Sequence, residues 1–278
     1  MTELLPFTTE KYALLQQLLR NMGTVVIGFS GGVDSTLLLR VALDTLGKEN
    51  VHAVIGVSES YPAREQAEAR ELAEGMGAFF SVVNSEEMKD ARYVENSKDR
   101  CYYCKSDLFG RLMKFAEENK YAFVLDGNNA DDAGDYRPGR KAALELGVRS
   151  PLMDVGMTKD EIREISKMLG LPTWVKPSYA CLASRIPYGT SITSGALSAI
   201  EAGEEFLRGE GFTQLRVRHH GDVARIELLP EELGRMLDAE LRERTTAKLR
   251  ALGYKYVTLD LLGYRTGSMN EVLKNGGK

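Results

Sequence analysis

The chain has 278 residues, 43% of them hydrophobic, enough to bury a sizeable core in one large domain or two modest ones. Lys and Arg number 36 against 40 Asp and Glu, a net charge of −4 that gives no general attraction to nucleic acid or an anionic membrane. Three cysteines cannot all pair within one chain, no apolar run is long enough to span a bilayer, and MTELLPFTTEKY has no basic segment ahead of an apolar one. The expectation is a cytoplasmic protein with no disulfide framework, no membrane and no nucleic acid among its partners.

Apolar periodicity predicts a helix in TEKYALLQQLLRNM, a strand in TVVIGF and a helix in STLLLRVALDTLG. Between the last two runs the turn Ser30-Gly31-Gly32-Val33-Asp34-Ser35. A helix entered this way starts with backbone N–H groups that lack intrahelical partners, at the positive end of its dipole. Gly31 and Gly32 let the backbone come close to an oxyanion, and Ser30 and Ser35 add hydroxyl donors, so the turn suits a phosphate. It holds no Lys and is not the GxxxxGK[ST] pattern. It resembles the PP-loop, SGGxDS, of the ATP pyrophosphatases, which implies ATP cleaved to AMP and pyrophosphate on residues Ser30, Gly31, Gly32, Val33, Asp34 and Ser35. Asp34 is the candidate partner of Mg²⁺, an ion that favours oxygen ligands and substrate phosphates.

The strand VHAVIGV, the helix PAREQAEARELAEGMG, the strand AFFSVVN, a helix near CYYCKSDLFGRLMKFAEENK and the strand YAFVLDG follow. Strands alternating with helices imply βαβ units and a parallel sheet covered on both faces, with ligands beyond the carboxyl ends of the strands. That geometry gathers residues 30–35, 58–61 and 127–132 at one edge and adds Ser58 and Gly127 to the ATP candidates. A helix from about Thr158 to Leu169 leads into a stretch containing Pro172, Pro177 and Pro187, expected to be an ordered loop. Beyond Thr193 come a helix, the strands TQLRVRHH and VARIELL joined by a Gly221-Asp222 hairpin, helices between Pro230 and Leu252, and the strand YVTLDLL. The fold class is α/β: a parallel-sheet, adenine nucleotide alpha-hydrolase-like domain over 1–188, then a smaller α+β domain over 189–278 for substrate binding or oligomerisation. The terminal KNGGK is expected to fray.

Three further stretches, LDGNNADDAGDYRPG, PLMDVGMTKDEIREISKMLGLP and KPSYACLASRIPYG, together with SGGVDS, resemble the LarE family of ATP-dependent sulfur transferases from about residue 10 to 265. The resemblance implies a role in making the nickel-pincer nucleotide cofactor of lactate racemase. Its substrate would be a pyridinium nucleotide, pyridinium-3,5-biscarboxylic acid mononucleotide, converted to the bisthiocarboxylic form. It also suggests a homo-oligomer, perhaps a hexamer of two trimers; the sulfide source is not legible.

Cys181 is the candidate nucleophile: its thiolate would attack an acyl-adenylate, and in the sacrificial version of the family C–S cleavage leaves dehydroalanine on the protein. Lys176 and Arg185 nearby are expected to favour the thiolate. Taken alone, such a Cys is more often a small buried apolar residue. Cys101 and Cys104 form a lone CxxC, compatible with a redox pair, half a zinc site with His52, His219 or His220, or two inert thiols. The favoured reading joins Cys101, Cys104 and Cys181 on a 4Fe-4S cluster with one iron open for an extra sulfide. A phosphate and two carboxylates on the substrate call for cations: Arg216 and Arg218, two apart on one strand, with Arg185 and Arg265, while Glu227 orients an arginine or moves a proton. Tyr102, Tyr103, Trp174 and Tyr179 are aromatic enough to stack on adenine or pyridinium, but core or surface packing is the expected role of each. Rival readings are a tRNA 2-thiolation enzyme, which needs a basic surface, an ammonia-using amide synthetase, which has no use for the cysteines, and a non-catalytic nucleotide or redox sensor on the same fold.

Overall fold

The computed structural model describes residues 6–134, 138–177 and 180–265. The chain divides into two compact units, Met1–Tyr93 with Asp99–Tyr179, and Val94–Lys98 with Ala180–Lys278. The second unit thus starts before residue 189 and also takes in Val94–Lys98, an excursion no periodicity marks. Asn96 explains it. Fully buried, with φ 55°, it donates from Nδ2 to the carbonyls of Pro187 at 2.8 Å and Thr190 at 2.9 Å, and its own carbonyl accepts from Gly189. Asn tolerates this left-handed backbone better than other side-chain-bearing residues.

The first unit runs α1 (Pro6–Met22), β1 (Val25–Gly28), α2 (Val33–Leu46), β2 (Val51–Val57), α3 (Ala63–Gly75), β3 (Phe79–Asn84), α4 (Ala91–Val94, whose last residue passes to the second unit), α5 (Arg100–Glu118), β4 (Phe123–Leu125), α6 (Pro138–Glu145), α7 (Pro151–Asp154) and α8 (Lys159–Met168). The sheet is parallel throughout, in the order β3-β2-β1-β4. Because β2 and β4 flank β1 on opposite sides, the chain reverses its direction of travel at β1, and the turns after β1 and β4 open onto the same crevice. Alternation along β1 sends Val25 and Ile27 into one core with α2, and Val26 into the other with Phe109 and Leu112 of α5. Coverage is incomplete at the β3 edge, where Phe79 and Val82 stay partly exposed. The short helices α4, α6 and α7 have no counterpart in the sequence reading; four to eight residues hold too little periodicity to register. Helix α8 starts at a capping box in which the Thr158 hydroxyl and the Glu161 carboxylate satisfy each other's backbone.

Among the described residues the proline-rich stretch holds neither sheet nor α-helix, only short 3-10 turns at Pro172–Val175 and Leu182–Arg185. The second unit then contains α9 (Ser194–Gly209), β5 (Leu215–His220), β6 (Val223–Leu228), a 3-10 stretch at Pro230–Leu237, α10 (Ala239–Ala251) and β7 (Tyr256–Leu259). Strands β5 and β6 are antiparallel around Gly221, whose φ of 61° supplies the hairpin, and β7 adds in parallel to β6. Leu207, Val217, Ile226 and Leu249 fill its core. Among the described residues no helix is long and apolar enough to cross a membrane.

Candidate active site

The expected phosphate turn lies between β1 and α2. Ser30 and Ser35 face each other, Oγ to Oγ, at 3.1 Å, and the Ser30 N–H points at Ser35 Oγ at 3.3 Å, so residues 30–35 close into a ring. Gly31 has φ +63°, and a Cβ there would lie 3.0 Å from Cα of Ala69 on α3; only glycine fits. After β4 the chain returns so closely that a Cβ on Gly127 would stand 3.0 Å from the Ser35 nitrogen. The two loops named from sequence therefore meet at the N-terminus of α2.

Asp34, the Mg²⁺ candidate, accepts from Asn129 Nδ2 at 3.2 Å and from Lys159 Nζ at 2.5 Å. Lys159 escaped the sequence reading: it sits at the first residue of α8, its own N–H held by Asp131 at 2.8 Å, and nothing local ties it to a turn 125 residues earlier. Its place in a long motif shared by nucleotide-site enzymes was the available signal. Asp126, nine-tenths buried behind the same loop, has its pKa raised by that burial, against hydrogen bonds from Ser150 and Asn128. The donor set here, carboxylate oxygens beside an open turn of N–H groups, fits a hard cation carried in with phosphates.

Ser58 sits farther along the same edge and contacts Ser60 Oγ at 3.1 Å; Ser60 donates to the buried Glu87 at 2.6 Å, and the Cys104 thiol points at Glu87 from 3.6 Å. Cys101 and Cys104 occupy the first turn of α5, with Cys101 exposed, and none of the three cysteines is in a disulfide among the described residues. Cys101 and Cys104 belong to the first unit and Cys181 to the second; among the described residues no three His, Cys, Asp or Glu side chains are gathered as a metal-ion site. Of the histidines once set beside zinc, His52 is half-buried between Phe115 and Ser81, and His219 contacts the Tyr254 hydroxyl at 3.2 Å. Tyr102 and Tyr103 stack edge to face, with the Tyr102 hydroxyl donating to Glu145, while Trp174 sits under Lys167. Tyr179 lies outside the described residues.

In the second unit Cys181 caps the 182–185 turn, and that turn is tied to the arginine strand. Arg218 Nη1 donates to the Ser184 carbonyl at 3.0 Å and Arg218 Nη2 to Glu227 at 2.7 Å. Glu227, fully buried, also accepts from Arg225 at 2.9 Å, so it holds two arginines at once. Arg216 is the unusual member. It is buried, its Nη1 donates to the Leu215 carbonyl at 2.6 Å, its guanidinium lies 5.0 Å from the Tyr264 ring, and among the described residues it has no carboxylate ion pair. Burial, then the charges of Arg185 and Arg218 against the opposing pull of Glu204, bring its pKa down to about 10. Arg265 is a weaker candidate, 3.7 Å from Asp260 and donating to the Gly263 carbonyl.

One expectation, Arg185 as a substrate contact, needs correction. Arg185 is fully buried and grips Glu204 through Nε at 2.9 Å and Nη2 at 3.0 Å, while Nη1 holds the carbonyls of Ala180 and Cys181. That leaves it no exposed donor for a substrate. Burial disfavours its charge, but Glu204 outweighs this and raises its pKa; burial likewise opposes ionised Glu204, whose pKa is nonetheless lowered by Arg185. Lys176, the other cation expected near Cys181, belongs to the first unit, where its ammonium lies 2.8 Å from both Glu65 and Glu68 on α3. Arg185 does stand by Cys181, with which it interacts electrostatically, but its main partner is Glu204, a carboxylate 19 residues on.

A family model described as NAD synthase matches residues 9–130. Over 263 residues the chain is 41% identical to the pyridinium-3,5-bisthiocarboxylic acid mononucleotide synthase of Lactiplantibacillus plantarum, covering 95% of each. An uncharacterised protein of a Synechocystis strain is 42% identical over 259 residues, 93% of this chain and 96% of the relative. An NH(3)-dependent NAD(+) synthetase of Trichlorobacter lovleyi is 43% identical over 164 residues, only 55% of this chain. Parallel sheet and glycine turn define a nucleotide-binding protein of the PP-loop, ATP pyrophosphatase type. The full-length match narrows that class: the chain belongs to the LarE family.

Proposed function

We propose that this chain spends ATP to replace carboxylate oxygen by sulfur on pyridinium-3,5-biscarboxylic acid mononucleotide, as a step toward the nickel-pincer cofactor of lactate racemase. A carboxylate is a poor electrophile, because its charge is delocalised and its oxygen leaves badly. In the proposed reaction a carboxylate oxygen attacks the α-phosphorus of ATP, forming an acyl-adenylate and releasing pyrophosphate. The free N–H groups of the 30–35 turn stabilise the charge that grows on the departing pyrophosphate. Asp34 would hold Mg²⁺ with the phosphates once Lys159 turns from it to phosphate oxygen, and the loops at Ser58 and Gly127 border the nucleotide.

The thiolate of Cys181 then attacks the acyl carbon and expels AMP, giving a thioester. Loss of the Cys181 α-proton with cleavage of its Cβ–Sγ bond leaves the thiocarboxylate on the product and dehydroalanine in the chain. The observation that carries this reading is the bond from Arg218 to Ser184, which ties the turn capped by Cys181 to a strand with the under-compensated cation Arg216. Arg216, Arg218 and Arg265 are the proposed contacts to substrate phosphate and carboxylates, with Glu227 orienting Arg218.

Three cysteines outside any disulfide are also the donor chemistry of a 4Fe-4S cluster. Cys101, Cys104 and Cys181 would hold it, and such a cluster supplies a site for a non-protein sulfide, which spares Cys181 from destruction. We favour this version because the sacrificial route leaves Cys101 and Cys104 without a task. The proposed setting is the cytoplasm, in a homo-oligomer. Intact-protein mass before and after anaerobic reaction with ATP, Mg²⁺ and the biscarboxylated nucleotide, with iron and acid-labile sulfide assayed on the same sample, tests both versions. Loss of H₂S at Cys181 establishes the sacrificial route; unchanged mass with thiolated product and stoichiometric iron establishes the cluster; no AMP and no thiolated product refutes the function.

A further inference from the structure

Two side chains hold the back of the phosphate turn. The Tyr61 hydroxyl donates to the Ser30 carbonyl at 2.7 Å, and the Lys176 ammonium donates to the Gly31 carbonyl at 3.2 Å. A trans peptide is planar, so the N–H of each residue points opposite to the carbonyl before it. The chain has no cis bond among the described residues. Fixing the Ser30 carbonyl therefore fixes the Gly31 N–H, and fixing the Gly31 carbonyl fixes the Gly32 N–H. Among the described residues neither of these N–H groups donates to a backbone carbonyl.

We infer that Tyr61 and Lys176 are positioning residues that aim the Gly31 and Gly32 N–H groups at bound phosphate. This rests on the reading that the turn binds the phosphates of ATP. The turn needs such bracing because glycine backbone is otherwise free to rotate its peptide planes. A preorganised donor gives its full stabilisation, whereas one that must first be ordered gives only the remainder.

Lys176 could instead be a phosphate ligand, but its surroundings argue for a fixed brace. Its side chain is 13% exposed, and Glu65 and Glu68 grip it from successive turns of α3. Burial lowers the ammonium pKa and these carboxylates more than restore it, so the net shift is upward. Ala69, next on the same face, presses against Gly31. Helix α3 is thus a platform: one face supplies the carboxylates that hold Lys176 and the surface on which the turn rests. Tyr61, just before that helix, completes the support from the other peptide plane.

The test is calorimetric titration of the full chain with Mg²⁺–pyrophosphate, with the non-cleavable analogue α,β-methylene-ATP, and with adenosine. Tyr61→Phe loses one neutral hydrogen bond and should bind pyrophosphate about five-fold more weakly, and Lys176→Met, which loses a charge-assisted one, at least ~10-fold more weakly. Lys176→Arg should recover most of that loss, and adenosine affinity should be unchanged in all three. Wild-type pyrophosphate affinity in both Tyr61→Phe and Lys176→Met overturns the inference, as does an equal loss of adenosine affinity, which would mean general damage. A wild-type chain that binds neither pyrophosphate nor the analogue would remove the phosphate reading itself, and the bracing role with it.

Discussion

Replacing Glu204 by Gln is the most demanding test of the second unit. The Glu204 side chain is 1% exposed and accepts from Arg185 Nε at 2.9 Å, Arg185 Nη2 at 3.0 Å, Arg208 at 3.1 Å and the Val217 N–H at 3.1 Å. Gln keeps the shape but turns an NH₂ toward donors and leaves the Arg185 charge buried. Breaking one side of a buried ion pair costs about 3–5 kcal/mol. For a unit of roughly 100 residues each kcal/mol lowers Tm by ~4–8 °C, so a fall of at least ~12 °C is expected in that unit's transition. Calorimetry should show the fall, and hydrogen–deuterium exchange should show lost protection at Val217. Arg185→Met with Glu204→Leu should recover much of the loss, since an apolar pair replaces an ionic one at little net cost. The pH dependence has a fixed sign. Because the folded state lowers the Glu204 pKa, its stabilisation is complete above the ordinary carboxylate range and is lost as pH falls through the lowered value; Glu204→Gln should lose that part of the acid dependence. A Tm within about 2 °C of wild type, with Val217 protection intact, would refute the reasoning.

Other consequences can be checked singly. Cys181→Ala should still form the acyl-adenylate, seen as substrate-dependent exchange of labelled pyrophosphate into ATP, yet give no thiolated product. Cys101→Ser or Cys104→Ser should lower the iron content of anaerobically purified protein severalfold; unchanged iron would remove both from the proposed cluster. Gly31→Ala should abolish pyrophosphate binding, because its Cβ would stand 3.0 Å from the Ala69 backbone at a φ of +63°. Arg216→Met should raise Tm while abolishing substrate binding, and a lowered Tm would show that its guanidinium is a structural cation.

The first unit was legible because its information is local. Apolar runs of β1 and β2, the glycine turn and the capped α8 are each written in consecutive residues, and parallel strands buried on both faces leave little freedom of assignment. The same locality placed Gly127 beside the turn, since both follow sheet strands. Long-range partners were not legible. Lys159 reaches Asp34, Lys176 reaches α3, and Asn96 closes on Pro187 and Thr190, all through folding that no periodicity encodes. Arg185 is the instructive case: four residues from Cys181, it does interact with it, but its main partner is a carboxylate on another helix, which leaves it no donor for substrate.

Arg185 and Arg216 together argue where substrate charge belongs. Both are buried arginines in one unit, and both feel Glu204, yet the balance of their surroundings differs. Arg185 meets a carboxylate through two parallel bonds and has its pKa raised, so its burial is fully compensated and it acts as framework. Arg216 has a carbonyl, an aromatic ring and two neighbouring cations, with Glu204 as an opposing charge but no ion pair among the described residues, and burial brings its pKa down to about 10. A cation kept under such conditions lowers stability in the free protein, and an anion that arrived there would remove the penalty. That balance is what the proposed binding role asks of Arg216, because free energy spent on folding would be returned on binding. A phosphate or carboxylate beside Arg216 should therefore raise Tm more than the same ion does in Arg216→Met, and equal shifts would place the substrate's charge elsewhere.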